Sequence, residues 1–252
     1  MKITSPPVLL VVVGPTASGK TDLAHEVALR RGGEIVSADA FAVYRGLDVG
    51  TAKPSPERRR EVPYHLLDVA DARETYSAGR WAREAREVVD DVARRGRLPI
   101  VCGGSGFYLS ALLEGLPPED AADPALRSAL AAWGRPRPEA AHRFLELNDP
   151  VSAHRIPPAN LRYTLRALEI LLATGRRASE RPRPGGGWTA RWRIVKVGIA
   201  PSRDDLYARI AHRVGAMLDS GWTDEVRRLI DEGVPFESQA FQAIGYREVA
   251  EW

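Results

Sequence analysis

The amino-acid sequence predicts an α/β fold: a P-loop-type parallel sheet flanked by helices, with a small all-helical insertion domain. The first observation is an aliphatic run, Val8–Val13, that leads directly into a glycine-rich turn. The second is that strand-like and helix-like patterns alternate as far as Leu116, as they do in parallel sheets with helical crossovers. The third is that this alternation stops at Pro117, where proline-rich turns and helical patterns begin.

The elements of the core follow from the spacing of apolar residues. Short continuous apolar runs predict two buried parallel strands, Val8–Val13 and Leu98–Cys102. Three further strands are predicted at Glu34–Ser37, Leu66–Val69 and Arg193–Ala200. Helical spacing predicts the connecting helices, which are Thr21–Arg31, Ser77–Arg95, Ser105–Glu114 and Ser202–Ser220. The last helix begins with Ser202 and, three residues later, Asp205, a pattern similar to a capping box.

The insertion spans residues 117–187, so that the core consists of residues 1–116 and 188–252. Three helices are predicted within the insertion: Pro124–Trp133, Pro138–Leu147 and Asn160–Thr174. The segment Arg181–Gly187, with the sequence RPRPGGG, is typical of a hinge or loop.

Basic residues are concentrated in one part of the chain. The net charge is only +3, but residues 151–200 contain ten Lys or Arg against two Glu. A basic segment beside a near-neutral half predicts a surface for a polyanion such as nucleic acid. The alternative is an arginine-rich surface that is simply solvated, because a charge cluster reports a potential and not a partner.

Several classes of protein are excluded by composition. No run of about 18 apolar residues is present, which excludes a transmembrane helix, and the N-terminal apolar run lacks a signal-peptide cleavage site. Cys102 is the only cysteine, so no internal disulfide can form and a reducing, cytoplasmic compartment is expected. The histidines share no metal-ligand spacing, and a Cys/His zinc site is not expected.

The clearest motif is a phosphate-binding loop of the pattern G-x-x-x-x-G-K-[ST]. It is formed by Gly14, Pro15, Thr16, Ala17, Ser18, Gly19, Lys20 and Thr21. In this pattern the glycines let backbone N–H groups turn toward an anion, and the following helix directs its positive end at it. Lys20 neutralises phosphate oxygens, and the Thr21 hydroxyl can bind Mg²⁺. Because the motif follows a buried strand and opens a helix, we predict a diphosphate or triphosphate site.

The remaining pattern does not favour nucleotide hydrolysis. An NTPase usually has an aspartate at the end of a later apolar strand, where it orients Mg²⁺. Here the strand LPIVC ends in Gly103, Gly104 and Ser105 instead. Asp68 could substitute for that aspartate, or it could be a turn or cap residue.

Two polar residues follow predicted strands. Asp39 comes just after the strand that ends at Ser37 and should face the same crevice as the P-loop, because ligands bind beyond the carboxyl ends of parallel strands. Its carboxylate could take a proton from the attacking group or could simply cap the next helix. Ser105 could likewise be an N-cap, a hydroxyl in the crevice, or both.

Six ordered blocks of the sequence resemble the tRNA dimethylallyltransferases, also called tRNA isopentenyltransferases. The blocks are GPTASGKT, SADAFAVYRGLDVGTAKP, GGSGFYLSALLEGL, LRALEILLATG, LYARIAHRVGAML and QAIGYRE. They extend from about residue 8 to the end of the chain. Together they are far more specific than the P-loop alone.

The resemblance implies transfer of the dimethylallyl group from dimethylallyl diphosphate to N6 of the adenosine that follows the anticodon of a tRNA. The P-loop residues Thr16–Thr21 then bind the leaving diphosphate, with Mg²⁺ near Thr21. The catalytic residues implied are Asp39 as general base, together with Lys20, Ser105 and Arg213. Contacts to the tRNA anticodon stem-loop are implied for Asp39, Ala40, Phe41, Ala42, Ser105, Arg127, Arg162, Arg166, Gln242 and Arg247. No membrane partner is expected, and the protein is expected to be a monomer.

Three alternatives remain open at this point. The same chemistry could act on free AMP, ADP or ATP, although the basic helical insertion favours RNA. P-loop kinases also place an acidic residue after the second strand and have a lid insertion, so phosphoryl transfer from ATP is a second alternative. The third is an RNA-binding module whose phosphate site serves only folding.

Overall fold

The computed structural model describes residues 6–116, 123–181 and 187–251, and the chain forms two compact units. The first unit comprises residues 1–115 and 186–252, and the second comprises residues 116–185. Five described strands of the first unit form one parallel sheet in the order β3-β2-β4-β1-β5. They are β1 Val8–Val13, β2 Gly33–Ser37, β3 Tyr64–His65, β4 Leu98–Gly103 and β5 Arg193–Gly198. The predicted α/β class is therefore confirmed.

Helices are numbered along the whole chain, and those of the first unit connect and cover the strands. They are α1 Lys20–Arg31, α2 Pro56–Glu61, α3 Ala78–Arg94, α4 Gly106–Leu113, α9 Arg203–Asp219, α10 Trp222–Asp231 and α11 Tyr246–Glu251. Helix α3 is amphipathic and buries Trp81, whose Nε1 donates a hydrogen bond of 2.9 Å to the carbonyl oxygen of Ser37. This contact fixes the carboxyl end of β2.

The core between α1 and the sheet consists of small residues on the helix and branched residues on the strands. Ala24 and Ala28 of α1 are buried against Ile35 of β2 and Ile100 of β4. Small helix residues let the backbone of α1 approach the sheet closely, and burial of the aliphatic side chains contributes about 25 cal/mol per Å² of apolar area. Because α1 begins at the P-loop, this packing also holds the loop against the strand ends.

The predicted strand at Leu66–Val69 is wrong. The observed strand β3 is only two residues long, Tyr64–His65, and pairs with Ile35 and Val36 of β2. Leu66 and Asp68 have φ angles of 59° and 58°. These values lie in the left-handed region, which is incompatible with an extended strand. The apolar pair in this segment therefore belongs to a turn.

Four short helices were not predicted from periodicity. Three of them, α2, α10 and α11, belong to the first unit, and the fourth, α7 Pro150–Arg155, belongs to the second unit. Helix α2 has the sequence PERRRE and buries none of its residues, so it shows no apolar period. Its start is set instead by Ser55, whose hydroxyl accepts a hydrogen bond from the backbone N–H of Arg58.

The described part of the second unit is helical, as its sequence pattern predicts. Its helices are α5 Pro124–Gly134, α6 Pro138–Asn148, α7 Pro150–Arg155 and α8 Leu161–Thr174. Their core contains Leu130, Leu145 and Leu168, all buried. Asp149 begins α7 by accepting a hydrogen bond of 3.1 Å from Ser152 N, and it also accepts one of 3.0 Å from Ser179 N. Most of the predicted hinge, residues 182–186, lies outside the described residues.

Glu34 makes the stability of the first unit sensitive to acid. Its buried carboxylate accepts hydrogen bonds from Arg95, one of them 2.8 Å long, and is 2.7 Å from Nε2 of His65. The hydrogen bonds from Arg95, opposed by burial and assisted by His65, lower the pKa of Glu34 from 4.5 to about 2. The stabilisation is thus complete above pH 4.5 and is lost as the pH falls toward 2.

We expect the free energy of unfolding to fall by about 3 kcal/mol across this window on account of Glu34 alone. Glu34→Gln should remove that part of the pH dependence, as measured by urea unfolding at several pH values. Glu26→Gln, which replaces a surface carboxylate paired with Arg30 on α1, serves as the control. An unchanged acid profile in Glu34→Gln contradicts the assignment.

Candidate active site

The P-loop connects the end of β1 to the start of α1 in a tight turn. Ala17 and Gly19 have φ angles of 62° and 88°, in the left-handed region, and Ser18 N donates to Pro15 O at 3.3 Å. A side chain at Gly14 is excluded, since a Cβ there would lie 2.6 Å from Ser18 Oγ and 2.9 Å from the carbonyl oxygen of Ile199. Glycine at this position thus allows the turn to close against the sheet.

This turn leaves a set of hydrogen-bond donors without partners. The backbone N–H groups of Ala17, Gly19, Lys20 and Thr21 donate no hydrogen bond to the part of the chain that the structure describes. The hydroxyl of Ser18 is buried and also lacks a partner among those residues. Buried polar groups are usually satisfied. A phosphate group at the start of α1 would satisfy them, so the loop fits the anion that its sequence predicts.

Lys20 lies within this cradle and contributes a positive charge. Its Nζ donates a hydrogen bond of 3.1 Å to Pro15 O. Burial lowers the pKa of Lys20 below its ordinary value of 10.5, although Cys102 and Asp39 oppose the shift. A bound anion favours the protonated form and so works against this effect of burial.

We expect the lowered pKa of Lys20 to be visible in the alkaline pH dependence of the reaction. kcat/KM for the anionic donor should decline above neutral pH with an apparent pKa below 10.5, because neutral Lys20 no longer attracts the anion. Lys20→Arg, whose guanidinium stays charged, should lose this decline in its residual activity. The same decline in both proteins would assign it to another group.

Asp39 lies two residues after β2, and its carboxylate has one engaged and one free oxygen. Oδ1 accepts hydrogen bonds from Phe41 N at 2.9 Å and Ala42 N at 3.1 Å. Oδ2 makes no hydrogen bond to the rest of the described chain. The expectation that Asp39 caps the next helix is wrong, because these bonds close a turn and the next helix begins only at Pro56. Its role as a proton acceptor stays a prediction.

One pocket brings together the P-loop, Asp39 and α9. Its polar lining residues are Thr16, Lys20, Thr21, Ser37, Asp39, Thr51, Lys53 and Arg213. Its other lining residues are Ile35, Ala42, Ala52, Pro54, Tyr64, Leu67, Cys102 and Gly103. The pocket thus combines a cationic wall, a single carboxylate and an apolar wall from three neighbouring strands and the turn beyond them.

Arg213 reaches this pocket from α9, far away in sequence. Its Nη2 donates a hydrogen bond of 3.3 Å to the carbonyl oxygen of Thr51. Burial lowers the pKa of Arg213, while Asp39 opposes the shift. Lys20, Arg213 and Asp39 therefore interact electrostatically within one pocket. Perturbed pKa values that cluster in this way are typical of functional sites.

The end of the loop between β2 and α2 also lines the pocket, although none of the residues there was selected as a candidate from the sequence. Thr51, Ala52, Lys53 and Pro54 line the pocket. The side chain of Lys53 is only 2% exposed and contacts Asp48 at 2.8 Å and Asp68 at 2.5 Å. These residues belong to the VYRGLDVGTAKP segment, whose distinctive sequence was the one available signal for them.

Asp68, the candidate substitute for the missing Mg²⁺ carboxylate, is engaged elsewhere. Its carboxylate is ion-paired with Lys53 and with Arg59, the latter at 2.7 Å. Burial raises the pKa of Asp68, but the hydrogen bonds from Lys53 and Arg59 outweigh it, so that the pKa is lowered overall. It does not line the pocket. Among the described residues, no group of three or more His, Cys, Asp or Glu could hold a metal ion.

Ser105 lies at the N-cap of α4, where its hydroxyl makes no capping hydrogen bond. Its backbone N–H donates to the carbonyl oxygen of Ala38 at 3.3 Å, which keeps it beside the segment that leads to Asp39. It does not line the pocket itself. The preceding residue, Gly104, lies close to the P-loop lysine, since a Cβ there would lie 3.7 Å from Lys20 Nζ.

In the first unit, the residues other than Asp39 and Ser105 that are implied in tRNA contact lie in two segments, the turn after Asp39 and the last residues of the chain. Ala40 and Phe41 lie in the turn after Asp39 and are half-buried, whereas Ala42 is buried and lines the pocket. Gln242 and Arg247 are exposed near the C-terminus, and Arg247 stacks on Phe236 with 5.5 Å between guanidinium carbon and ring centroid.

In the second unit, two of the three implied arginines are ion-paired with one glutamate. Arg127 and Arg166 each lie 2.9 Å from the buried carboxylate of Glu169. Arg162 is exposed and has no ion-pair partner within the described residues. Its charge is therefore the most available of the three to an external anion.

The fold and this pocket define a P-loop-type α/β protein whose pocket combines cationic side chains with one carboxylate. The family model described as IPP transferase matches residues 42–252, and that described as isopentenyl transferase matches residues 7–74. The chain is 47% identical to the tRNA dimethylallyltransferase of Thermomicrobium roseum over 96% of its length and 73% of that protein. The chain belongs to the tRNA dimethylallyltransferase family.

Solved structures agree with this assignment. The tRNA isopentenylpyrophosphate transferase from Bacillus halodurans superposes with a TM-score of 0.67 at 37% identity, covering 97% of this chain and 76% of that one. A eukaryotic dimethylallyltransferase acting on tRNA superposes with a TM-score of 0.81 at 25% identity, covering 98% and 63% of the two chains. In the described residues no helix is long and apolar enough to cross a membrane.

Proposed function

We propose that this chain transfers the dimethylallyl group from dimethylallyl diphosphate to N6 of the adenosine that follows the anticodon in tRNA. A bond forms between N6 and the first allyl carbon, the bond from that carbon to the diphosphate oxygen breaks, and N6 loses a proton. The products are N6-isopentenyladenosine in tRNA and diphosphate. The observation that most supports this proposal is the placement of Lys20, Arg213 and Asp39 around one pocket in a member of this family.

The cationic wall of the pocket suits the leaving group. Negative charge grows on the diphosphate as its bond to the allyl carbon breaks. Lys20, Arg213 and the unpartnered N–H groups of the P-loop are positive where this charge develops, so they stabilise the transition state more than the ground state. The apolar lining, which includes Ile35 and Tyr64, suits the hydrocarbon part of the donor.

Asp39 suits the role of general base. An adenine N6 amine is conjugated with its ring and is a poor nucleophile, so removal of its proton must accompany attack. The free Oδ2 can accept that proton, while Oδ1 is held by the N–H groups of Phe41 and Ala42 and keeps the carboxylate oriented. To reach this carboxylate, the adenine must leave its stack and enter the pocket as an extruded base.

Thr21 is the protein group that we propose as a ligand of Mg²⁺. Mg²⁺ commonly binds to one or two protein oxygens and completes its coordination with phosphate oxygens and water. One protein hydroxyl next to a bound diphosphate would match this coordination, so that Mg²⁺ binding here would not require a cluster of carboxylates. When bound, the ion neutralises charge on the diphosphate.

We propose that the exposed arginine of α8 contributes to tRNA binding. Arg162→Ala should weaken binding of tRNA and reduce the slope of log Kd against log salt by about one. Arg30→Ala, which removes an exposed arginine of α1 already paired with Glu26, should leave the slope unchanged. Filter binding at several salt concentrations measures both. Equal slopes in wild type and Arg162→Ala would exclude this contact.

The function is tested by incubating the protein with labelled dimethylallyl diphosphate and either unmodified tRNA or free AMP, ADP and ATP. We expect label in tRNA, at the adenosine that follows the anticodon, and diphosphate as the other product. Label only in the free nucleotide would support the nucleotide-modifying alternative. Transfer of γ-phosphate from ATP would support the kinase alternative, and tRNA binding without either reaction would support the RNA-binding module.

We also propose that the protein acts as a monomer in the cytoplasm. Its single cysteine, Cys102, is buried, and burial raises the pKa of its thiol to about 11, which is compatible with a reducing compartment. Light scattering after size exclusion should give the mass of one chain, 27.7 kDa. A dimer mass would contradict this part of the proposal.

A further inference from the structure

Glu225 is a buried carboxylate that none of the sequence patterns indicated. It lies in the first turn of α10, and only 3% of the residue is exposed. None of the described lysines or arginines forms an ion pair with it. A buried charge is costly unless hydrogen bonds compensate for it, so the partners of this carboxylate are informative.

Those partners are backbone N–H groups of the loop that lines the active pocket. Oε2 of Glu225 accepts hydrogen bonds from Asp48 N and Val49 N, each 2.7 Å long, and Oε1 accepts one of 3.1 Å from Gly50 N. The hydroxyl of Tyr246 donates a further bond of 2.6 Å to Oε1. One side chain thus fixes three successive residues of the loop.

The other end of the same loop forms part of the pocket. Directly after Gly50, Thr51 lines the pocket and its carbonyl oxygen accepts the hydrogen bond from Arg213. Ala52 follows with a φ angle of 49°, a left-handed conformation that a non-glycine residue adopts only when its surroundings enforce it. The loop therefore connects Glu225 on one side to Arg213 on the other.

Packing reinforces this arrangement. A Cβ at Gly50 would lie 2.1 Å from Nε1 of Trp222 and 2.6 Å from Cε2 of Tyr246. The absence of a side chain at Gly50 thus lets the loop approach α10 closely enough for its N–H groups to reach the carboxylate.

We propose that Glu225 is a positioning residue for the reaction: it holds the loop at residues 48–53 in the conformation that places Thr51 and Arg213 at the diphosphate. This inference rests on the proposed function. A glutamine at this position has only one acceptor oxygen, and its NH₂ group faces N–H donors. Loss of these bonds shifts the loop, and a shift of about 1 Å remote from the reacting atoms can lower kcat/KM by about 100-fold.

The test compares wild type, Glu225→Gln and Asp224→Asn, the last being a control on the same helix whose exposed carboxylate pairs with Arg227. Calorimetry with inorganic diphosphate measures binding without turnover, and steady-state assays measure kcat and KM for the donor. We expect Glu225→Gln to weaken diphosphate binding and raise the donor KM by about 10-fold or more. The tRNA affinity and the properties of Asp224→Asn should remain those of wild type.

A double-mutant cycle separates positioning from a purely structural role. If Glu225 acts through the loop on Arg213, the effects of Glu225→Gln and Arg213→Ala on diphosphate affinity are not additive, because the second change removes the group that the first one displaces. Hydrogen exchange should also accelerate at the amides of residues 48–50 in Glu225→Gln. Additive effects, or lower thermal stability with unchanged diphosphate affinity, overturn the proposal.

Tyr246→Phe removes a single bond to the carboxylate and provides a milder variant should Glu225→Gln not fold. It should weaken diphosphate binding in the same direction and by less, and wild-type affinity would overturn the proposal. If wild type binds diphosphate but does not prenylate tRNA, the proposed function fails, while the calorimetric comparison still decides the role of Glu225.

Discussion

Replacing Lys20 by alanine is expected to lower kcat about 10²- to 10³-fold and to weaken binding of dimethylallyl diphosphate, while tRNA binds as it does in wild type. Lys20 is the one lysine or arginine of the P-loop, and its Nζ is held at the loop by a hydrogen bond of 3.1 Å to Pro15 O. Its removal takes away charge where the departing diphosphate becomes more negative. Single-turnover kinetics with labelled donor measures the chemical step directly.

The control for this variant is Lys196→Ala, which removes an exposed lysine of β5 with the same loss of net charge. It should leave turnover unchanged, so that a general electrostatic effect is separated from a local one. Unaltered turnover in Lys20→Ala would remove the assignment of the P-loop to the diphosphate.

Replacing Asp39 by asparagine is expected to lower kcat about 10²- to 10⁴-fold while the donor still binds. Asparagine retains an oxygen that can accept the hydrogen bonds from Phe41 N and Ala42 N, so the turn persists. The amide cannot take a proton from N6. Quenched-flow measurement of tRNA prenylation, together with calorimetry of diphosphate binding, distinguishes loss of chemistry from loss of binding.

Asp123→Asn is a matched control because Asp123, at the start of α5 in the second unit, makes the same pattern of hydrogen bonds with the N–H groups two and three residues later. Its Oδ1 accepts hydrogen bonds from Ala125 N at 2.8 Å and Leu126 N at 3.1 Å. If the effect of Asp39→Asn came only from weakening such a turn, thermal stability would fall to a similar extent in both variants. Full activity in Asp39→Asn would show that the proton goes elsewhere.

The features of the fold that the sequence predicted correctly are those encoded locally. The turn between β1 and α1 is encoded by two glycines five residues apart after an apolar strand, and the position of Asp39 by a strand that ends two residues earlier, while the chemical roles of both stay predictions. The buried strands and long amphipathic helices also followed from short-range periodicity. The strand predicted at Leu66–Val69 failed because its apolar pair could not reveal the left-handed backbone at Leu66 and Asp68.

The features that local patterns did not reveal depend on contacts distant in sequence. Arg213 was assigned only through the resemblance, since nothing around it shows that α9 returns to the P-loop. Lys53 is an ordinary loop lysine until the fold buries it between Asp48 and Asp68. Glu225 belongs to a short helix that periodicity did not identify, and its partners lie about 175 residues earlier in the chain.

The most direct measurement is a crystal structure of the protein with a non-hydrolysable analogue of dimethylallyl diphosphate and an unmodified anticodon stem-loop. We expect the diphosphate to accept hydrogen bonds from the N–H groups of the P-loop and from Lys20. The extruded adenine should place N6 within about 3.2 Å of Asp39 Oδ2. A diphosphate bound away from the loop, or an adenine whose N6 lies out of reach of Asp39, would contradict the account.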